Sequence, residues 1–217
     1  MFKVKKMDLV IGIYIFGILI SELMGAKTFP FLKIGTYQLN ASVSFLLIPL
    51  IYSMNDVIVE VHGVERARSV VRTGLLMIIL LFLFALFAIY VPPSTRFQPT
   101  EAAYDSIFAK SARISFASLT AFALADFLDV AIFSKLREKM GKSKLWLRNN
   151  ASNFISELID TVVFMVIAFY ALDQSFLSNW GFLVSLIIPY WLLKCSMSVI
   201  ETPFVYLGVK WLRSDKN

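Results

Sequence analysis

The stretch GLLMIILLFLFALFAIYV, residues 74–91, runs for 18 residues without a charge and is closed by Pro92-Pro93. A helix needs roughly 20 mostly apolar residues to cross the hydrocarbon core of a bilayer. This stretch is therefore read as a transmembrane helix. The prolines end it, because proline lacks the amide donor and clashes with the preceding turn. The rest of the chain has the same character. Hydrophobic residues make up 58% of the 217 and mean hydropathy is +0.72, above the roughly 45–50% apolar content of soluble domains. A soluble domain of this size could not hide so much apolar surface, whereas lipid covers it.

Working outward from residues 74–91, six spans are expected, at about 8–26, 40–61, 73–91, 111–134, 151–172 and 181–209. The fold class is thus an all-α integral membrane protein, a six-helix transmembrane bundle forming a single transmembrane domain over 1–217. The sixth span is long enough to tilt or to bend at Pro189 or Pro203. Segment 27–40, KTFPFLKIGTYQLN, mixes β-formers with Pro30 and Gly35 and is expected to form an external hairpin or a partly re-entrant lid. The N-terminal MFKVKK leads into a long apolar segment without a small-residue cleavage site, so no cleavable leader is expected.

Basic residues set the orientation. Lys3, Lys5 and Lys6 precede the first span, and Arg66, Arg68 and Arg72 follow the second. Lys135, Arg137, Lys139, Lys142, Lys144 and Arg148 follow the fourth, and Lys210, Arg213 and Lys216 lie in the tail. Against these fifteen the opposite side carries five: Lys27, Lys33, Arg96, Lys110 and Arg113. Both termini are accordingly placed in the cytoplasm. The net charge of +6 is read as a topology signal, and nucleic acid is not an expected partner.

Six acids fall inside these apolar segments: Asp56, Asp126, Asp129, Glu157, Asp160 and Glu201. A carboxylate at mid-membrane costs at least about 2.5–3.5 kcal/mol on insertion scales, so it persists where it faces protein or a wet cavity. Asp126 and Asp129 are three residues apart, as are Glu157 and Asp160, and each pair shares a helix face. Asp56 and Glu60, four residues apart on the second span, also share a face. Lys194 falls near the middle of the sixth span. Tyr52, Asn55, Ser118, Thr120, Asn153, Ser156 and Ser198 supply neutral polar partners. Helices two, four, five and six are thus expected to converge their polar faces on one chamber. Three explanations remain open for it: structural ion pairs, a cation, or an organic ligand rich in N–H donors. Six carboxylates beside one lysine cannot all ionise in a dry site, and Lys194 is expected to neutralise one of them.

A zinc or copper centre is poorly supplied, since His62 and Cys195 are the sole histidine and cysteine. The lone cysteine also excludes an internal disulfide. No GxxxxGK[ST] phosphate loop, HExxH or GxSxG element is present, so no enzymatic activity and no cofactor are expected. The tetrapeptide Ile-Ser-Glu-Leu occurs at 20–23 and 155–158 and is read as a chance match. Helices two and four each carry an Asp-Val pair before a basic segment, a weak hint of a three-plus-three repeat.

Three blocks carry a family resemblance: YSMNDVIVEVHGVERARSVV (52–71), ARISFASLTAFALADFLDVAIFSKLRE (112–138) and LWLRNNASNFISELIDTVVFMVIAF (145–169). A weaker echo lies in KCSMSVIETPFVYLGVKWL (194–212). In these the chain resembles the queuosine precursor transporter family, also described as vitamin uptake transporters. The resemblance implies a six-helix bundle in the bacterial inner membrane that imports 7-cyano-7-deazaguanine or its 7-aminomethyl relative. It places Asp56, Asp129, Asp160 and Lys194 on matching motifs. Asp126 and Glu157 stand where the family usually carries amide side chains, which makes the expected pocket more acidic and favours a cationic ligand.

The substrate-binding set expected is therefore Asn55, Asp56, Asp126, Asp129, Glu157, Asp160 and Lys194, with Phe127, Trp146 or Tyr190 as ring-stacking candidates. A deazaguanine presents its N1–H and exocyclic amine in parallel to one carboxylate, and Lys194 is able to donate to the ring carbonyl. The expected partners are a small purine-like solute and the lipid bilayer, with a second copy of the chain in a homodimer as a further candidate. The leading expectation is a secondary transporter. The alternative is a substrate-binding subunit for a vitamin or nucleobase that depends on a separate ATPase module, and a third class is a structural or ion-handling membrane protein.

Overall fold

The computed structural model describes residues 4–140, 145–200 and 202–213, without the side chains of 126, 127, 129–140, 145–153, 198–200 and 202. Seven α-helices and one β-hairpin account for most of the described residues. The helices are α1 (Lys6–Met24), α2 (Ile48–His62), α3 (Val64–Tyr90), α4 (Glu101–Met140), α5 (Leu145–Phe169), α6 (Phe176–Ile200) and α7 (Thr202–Arg213). The strands are β1 (Thr28–Ile34) and β2 (Tyr37–Ser42), and a short 3-10 turn, Val43–Leu47, leads into α2. Among the described residues five stretches are long and apolar enough to cross a membrane: Lys6–Met24, Val43–His62, Val64–Tyr90, Gln98–Ala125 and Phe176–Met197. α5 adds a helix of 25 residues over the region read as the fifth span.

Helix boundaries differ from the sequence reading in three places. Arg66, Arg68 and Arg72 were assigned to a loop, yet they lie on the first turns of α3, which starts at Val64. Gly63 makes the break in one residue: at φ 81° and ψ 168° it occupies a region essentially reserved for glycine. α4 starts at Glu101, ten residues earlier than expected, and continues to Met140, so Lys135, Arg137 and Lys139 are helical rather than in a loop. The long sixth span divides into α6 and α7. Pro203 sits in the first turn of α7, where its missing amide costs nothing, whereas Pro189 lies inside α6 without ending it.

The chain forms two compact units. The first contains residues 1–29, 42–115 and 196–217. Its core is a cluster of Val10, Tyr14, Val57, Ile58, Ala67, Val70 and Leu212 from α1, α2, α3 and α7. Glycines bring these helices close. A Cβ added at Gly17 would lie 3.0 Å from Ile51, one at Gly74 would lie 3.0 Å from Ile18, and one at Gly208 would lie 2.7 Å from Val57. Small residues at such contacts suit helices in lipid, where association depends on close packing rather than on the hydrophobic effect.

The second unit contains residues 30–41 and 116–195. Its hairpin is the one anticipated from segment 27–40, turning through Gly35 at φ 61°. Tyr37 Oη donates to the Gly181 carbonyl at 3.1 Å, and Asn40 Nδ2 donates to Ser185 Oγ at 2.7 Å, which fasten β2 to α6. The buried Asn179 closes the connection between α5 and α6. Its Oδ1 accepts from the Ala171 amide and its Nδ2 donates to the Ala171 carbonyl, both at 2.8 Å. These bonds satisfy backbone groups that a helix end leaves without intrahelical partners.

Candidate functional site

In the second unit, α5 and α6 meet through charge. Glu157 and Asp160 project from one face of α5, as their spacing predicts. Lys194 of α6 reaches both: its Nζ is paired with Asp160 Oδ2 and lies 3.0 Å from Glu157 Oε2. The side chains are 15% exposed for Lys194, 21% for Asp160 and 34% for Glu157. All three are thus largely withdrawn from solvent within helices of membrane-spanning length. Lys194 engages two acids, where the sequence reading expected one.

Two carboxylates against one ammonium leave a net negative charge when all are ionised. Such a site attracts a cation or a ligand with several N–H donors. Glu157 is the more exposed acid and hence the more accessible one. Thr161 is buried and turns its hydroxyl back to the Glu157 carbonyl at 2.7 Å, so it is a helix-internal contact. Cys195, next to Lys194, is a half-buried free thiol.

One turn before the acids, Phe154 occupies the same face of α5 as Glu157, and one turn before Lys194, Trp191 occupies the same face of α6. Their rings lie edge to face, with centroids 4.4 Å apart and planes 63° apart. Trp191 Nε1 donates to the Phe154 carbonyl at 3.3 Å. Neither residue was among the stacking candidates. The i−3 spacing from Glu157 and from Lys194 is the signal that would have found them. Tyr190, which was a candidate, is only 5% exposed and is closed in by packing.

The remaining expected residues stand as follows. Asn55 and Asp56 are half-buried on α2 in the first unit. Asn55 Oδ1 is buried and has no hydrogen-bond partner among the described residues. Asp126 and Asp129 are on α4, but their side chains, with those of Phe127, Trp146, Asn153 and Ser198, lie outside the described residues, as does Glu201. Thr120 bonds back to the Phe116 carbonyl at 2.8 Å.

The first unit also holds a buried acid outside the set expected from the sequence. Glu22 is 5% exposed near the end of α1. Beside it, Ser111 Oγ of α4 donates to the Leu23 carbonyl at 2.8 Å, and Ser42, Ser111 and Ser115 are all at most 1% exposed. The signal was the repeated Ile-Ser-Glu-Leu. In both copies the glutamate is withdrawn into its own unit.

Residues 42–208 match the family described as putative vitamin uptake transporter. The chain is 29% identical over 182 residues to a protein of Bacillus subtilis (strain 168) named "Probable queuosine precursor transporter", covering 83% of this chain and 76% of the relative. It is 27% identical over 139 residues to the "Queuosine precursor transporter" of Escherichia coli (strain K12), covering 64% of this chain and 60% of that protein. A "Probable queuosine precursor transporter" of Haemophilus influenzae (strain ATCC 51907 / DSM 11121 / KW20 / Rd) is 26% identical over 149 residues, covering 67% and 59%. The chain thus spans about three quarters of the first relative and under two thirds of the other two. No solved structure matches it.

Proposed function

We propose, starting from the fact that the chain belongs to the putative vitamin uptake transporter family, that it is a multi-pass membrane importer of queuosine precursors. The substrate class is 7-cyano-7-deazaguanine and its 7-aminomethyl relative, which agrees with the names borne by the three relatives. In this reading the chain is a single transport domain of six spans with both termini in the cytoplasm, and it acts as a secondary transporter.

The observation that carries the binding chemistry is the arrangement of Glu157, Lys194 and Asp160. The guanine-like edge of the substrate runs donor, donor, acceptor: exocyclic amine, N1–H, ring carbonyl. A carboxylate beside an ammonium offers acceptor, acceptor, donor. Glu157, the more exposed acid, receives the two N–H groups, and Lys194 turns part of its donor capacity to the carbonyl while Asp160 keeps it in place. Charge-assisted bonds of this kind are about twice as strong as neutral ones. Asn55, Asp56, Asp126 and Asp129 are proposed as further substrate-contacting residues. Asn55 Oδ1, a buried acceptor lacking a donor among the described residues, is suited to a ligand N–H.

Proteoliposomes containing this chain alone should accumulate radiolabelled 7-cyano-7-deazaguanine saturably. Uptake that appears only with an added ATPase module would refute the secondary-transport reading. Asp160→Asn and Asp129→Asn should abolish uptake at unchanged membrane expression, and disappearance of either variant from the membrane would assign that residue a structural role. The acids at 126 and 157, in place of the family's usual amides, should make the aminomethyl base the better competitor. A clear preference for the nitrile would overturn that inference.

A further inference from the structure

We propose that Phe154 and Trp191 form the aromatic wall of the binding site, holding the flat face of the bicyclic base while the charged groups hold its edge. This rests on the preceding reading of the ligand and adds how its ring system is recognised.

The argument begins with helix faces. Phe154 precedes Glu157 by three residues and Trp191 precedes Lys194 by three, so each ring lies one turn from a charged group and on the same side of its helix. A face that carries charges at membrane depth borders protein or water rather than hydrocarbon. The two rings share that face, yet Phe154 remains 47% exposed. An aromatic surface left open beside a charged triad is complementary to a flat heterocycle with a polar edge.

The geometry of the pair supports the same use. Planes 63° apart at 4.4 Å make a corner rather than a closed stack. Trp191 spends its one polar hydrogen on the Phe154 carbonyl, so its indole has nothing left to donate to a ligand and meets one through its π-surface. That bond also fixes the indole before any ligand arrives, which lowers the ordering cost of binding.

The test uses intrinsic fluorescence. The chain has four tryptophans. Replacing Trp146, Trp180 and Trp211 by Phe leaves Trp191 as the sole reporter in purified, detergent-solubilised full-length protein. Titration with 7-cyano-7-deazaguanine should quench Trp191 saturably, with the same Kd that the ligand-dependent rise in melting temperature gives. Trp191→Leu and Phe154→Leu, each in the otherwise unaltered protein, should each weaken binding about 5- to 140-fold, the range for loss of one base–aromatic stack. Trp191→Phe, which keeps a ring, should lose only a few-fold and serves as the working comparison where the leucine variant fails to fold. Unaltered Kd in Trp191→Leu, Trp191→Phe and Phe154→Leu together with a silent Trp191 signal would overturn this inference alone and assign both rings to lipid. Absence of any melting-temperature response in the unaltered protein would overturn the ligand reading and this inference with it.

Discussion

Two ion-paired groups, one in each unit, use the same residue types in opposite ways. In the first unit Arg213 of α7 meets Glu60 of α2 at 3.2 Å, with side chains 56% and 61% exposed. In the second, Lys194 holds Glu157 and Asp160 with all three side chains at least about two-thirds withdrawn from solvent. Water screens the first pair, and exposed pairs of this kind contribute roughly 0–1 kcal/mol. The second has given up much of its hydration, so each member depends on the others. One is a bolt between two helix ends that could be removed. The other is a polar device that the membrane makes expensive, which is why it is the better candidate for function.

The sharpest way to break this contrast is Lys194→Met. It leaves two acids without their ammonium; removing one partner of a fully buried pair costs about 3–5 kcal/mol, which is the upper limit for side chains that keep 15–34% exposure. The expected outcome is a large fall in melting temperature in detergent together with loss of uptake. Adding Glu157→Gln and Asp160→Asn to the same chain removes the stranded charges and should recover most of the stability. It should not recover transport. Recovery of both would mean that the triad serves folding alone.

A second, smaller effect tests the first unit on its own terms. Its stability resides in close helix packing, so a neutral change there should matter more than a charged one. Gly208→Ala places a methyl 2.7 Å from a Val57 methyl, and Val57 is fully buried. Overpacking of this kind costs typically 1–3 kcal/mol. Thermal unfolding of Gly208→Ala, of Val57→Ala and of the double variant would measure it. The double variant should be more stable than the sum of the two single losses, because each change makes room for the other. Strict additivity would show that α7 does not depend on this contact.

What could be read in advance follows the range of the interactions involved. The charge-free run 74–91 and the β-forming segment around Gly35 are local signals, and both became the elements expected of them. The shared face of Glu157 and Asp160 follows from helical periodicity alone. That Lys194 would reach both acids depends on the register between α5 and α6, which no local pattern encodes. Arg66, Arg68 and Arg72 follow the second span as a basic segment, and no local charge pattern shows that one glycine at φ 81° turns the chain straight into α3 without a loop. Glu22 lies within the first expected span but outside the acids named there; its 5% exposure is set by tertiary packing, which a single span's pattern does not show. The positions of Phe154 and Trp191 one turn from Glu157 and Lys194 are legible in the spacing, whereas the contact between their rings exists only when the two helices are set side by side.

The smallest expected effect is the one that makes the contrast strict. Arg213→Ala removes the exposed partner of Glu60 and also a longer contact, 3.4 Å, from the same guanidinium to the Glu60 carbonyl. Loss of packing by the arginine stem is a further small term. The total should stay within about 1 kcal/mol, seen as a marginal change in melting temperature that shrinks further at high salt, because exposed charges are screened within about a Debye length. Uptake and its KM should be unaltered. If Arg213→Ala instead stops transport while the protein stays folded, the α2–α7 junction belongs to the transport machinery. The division between a dispensable bolt in one unit and a working triad in the other would then have to be abandoned.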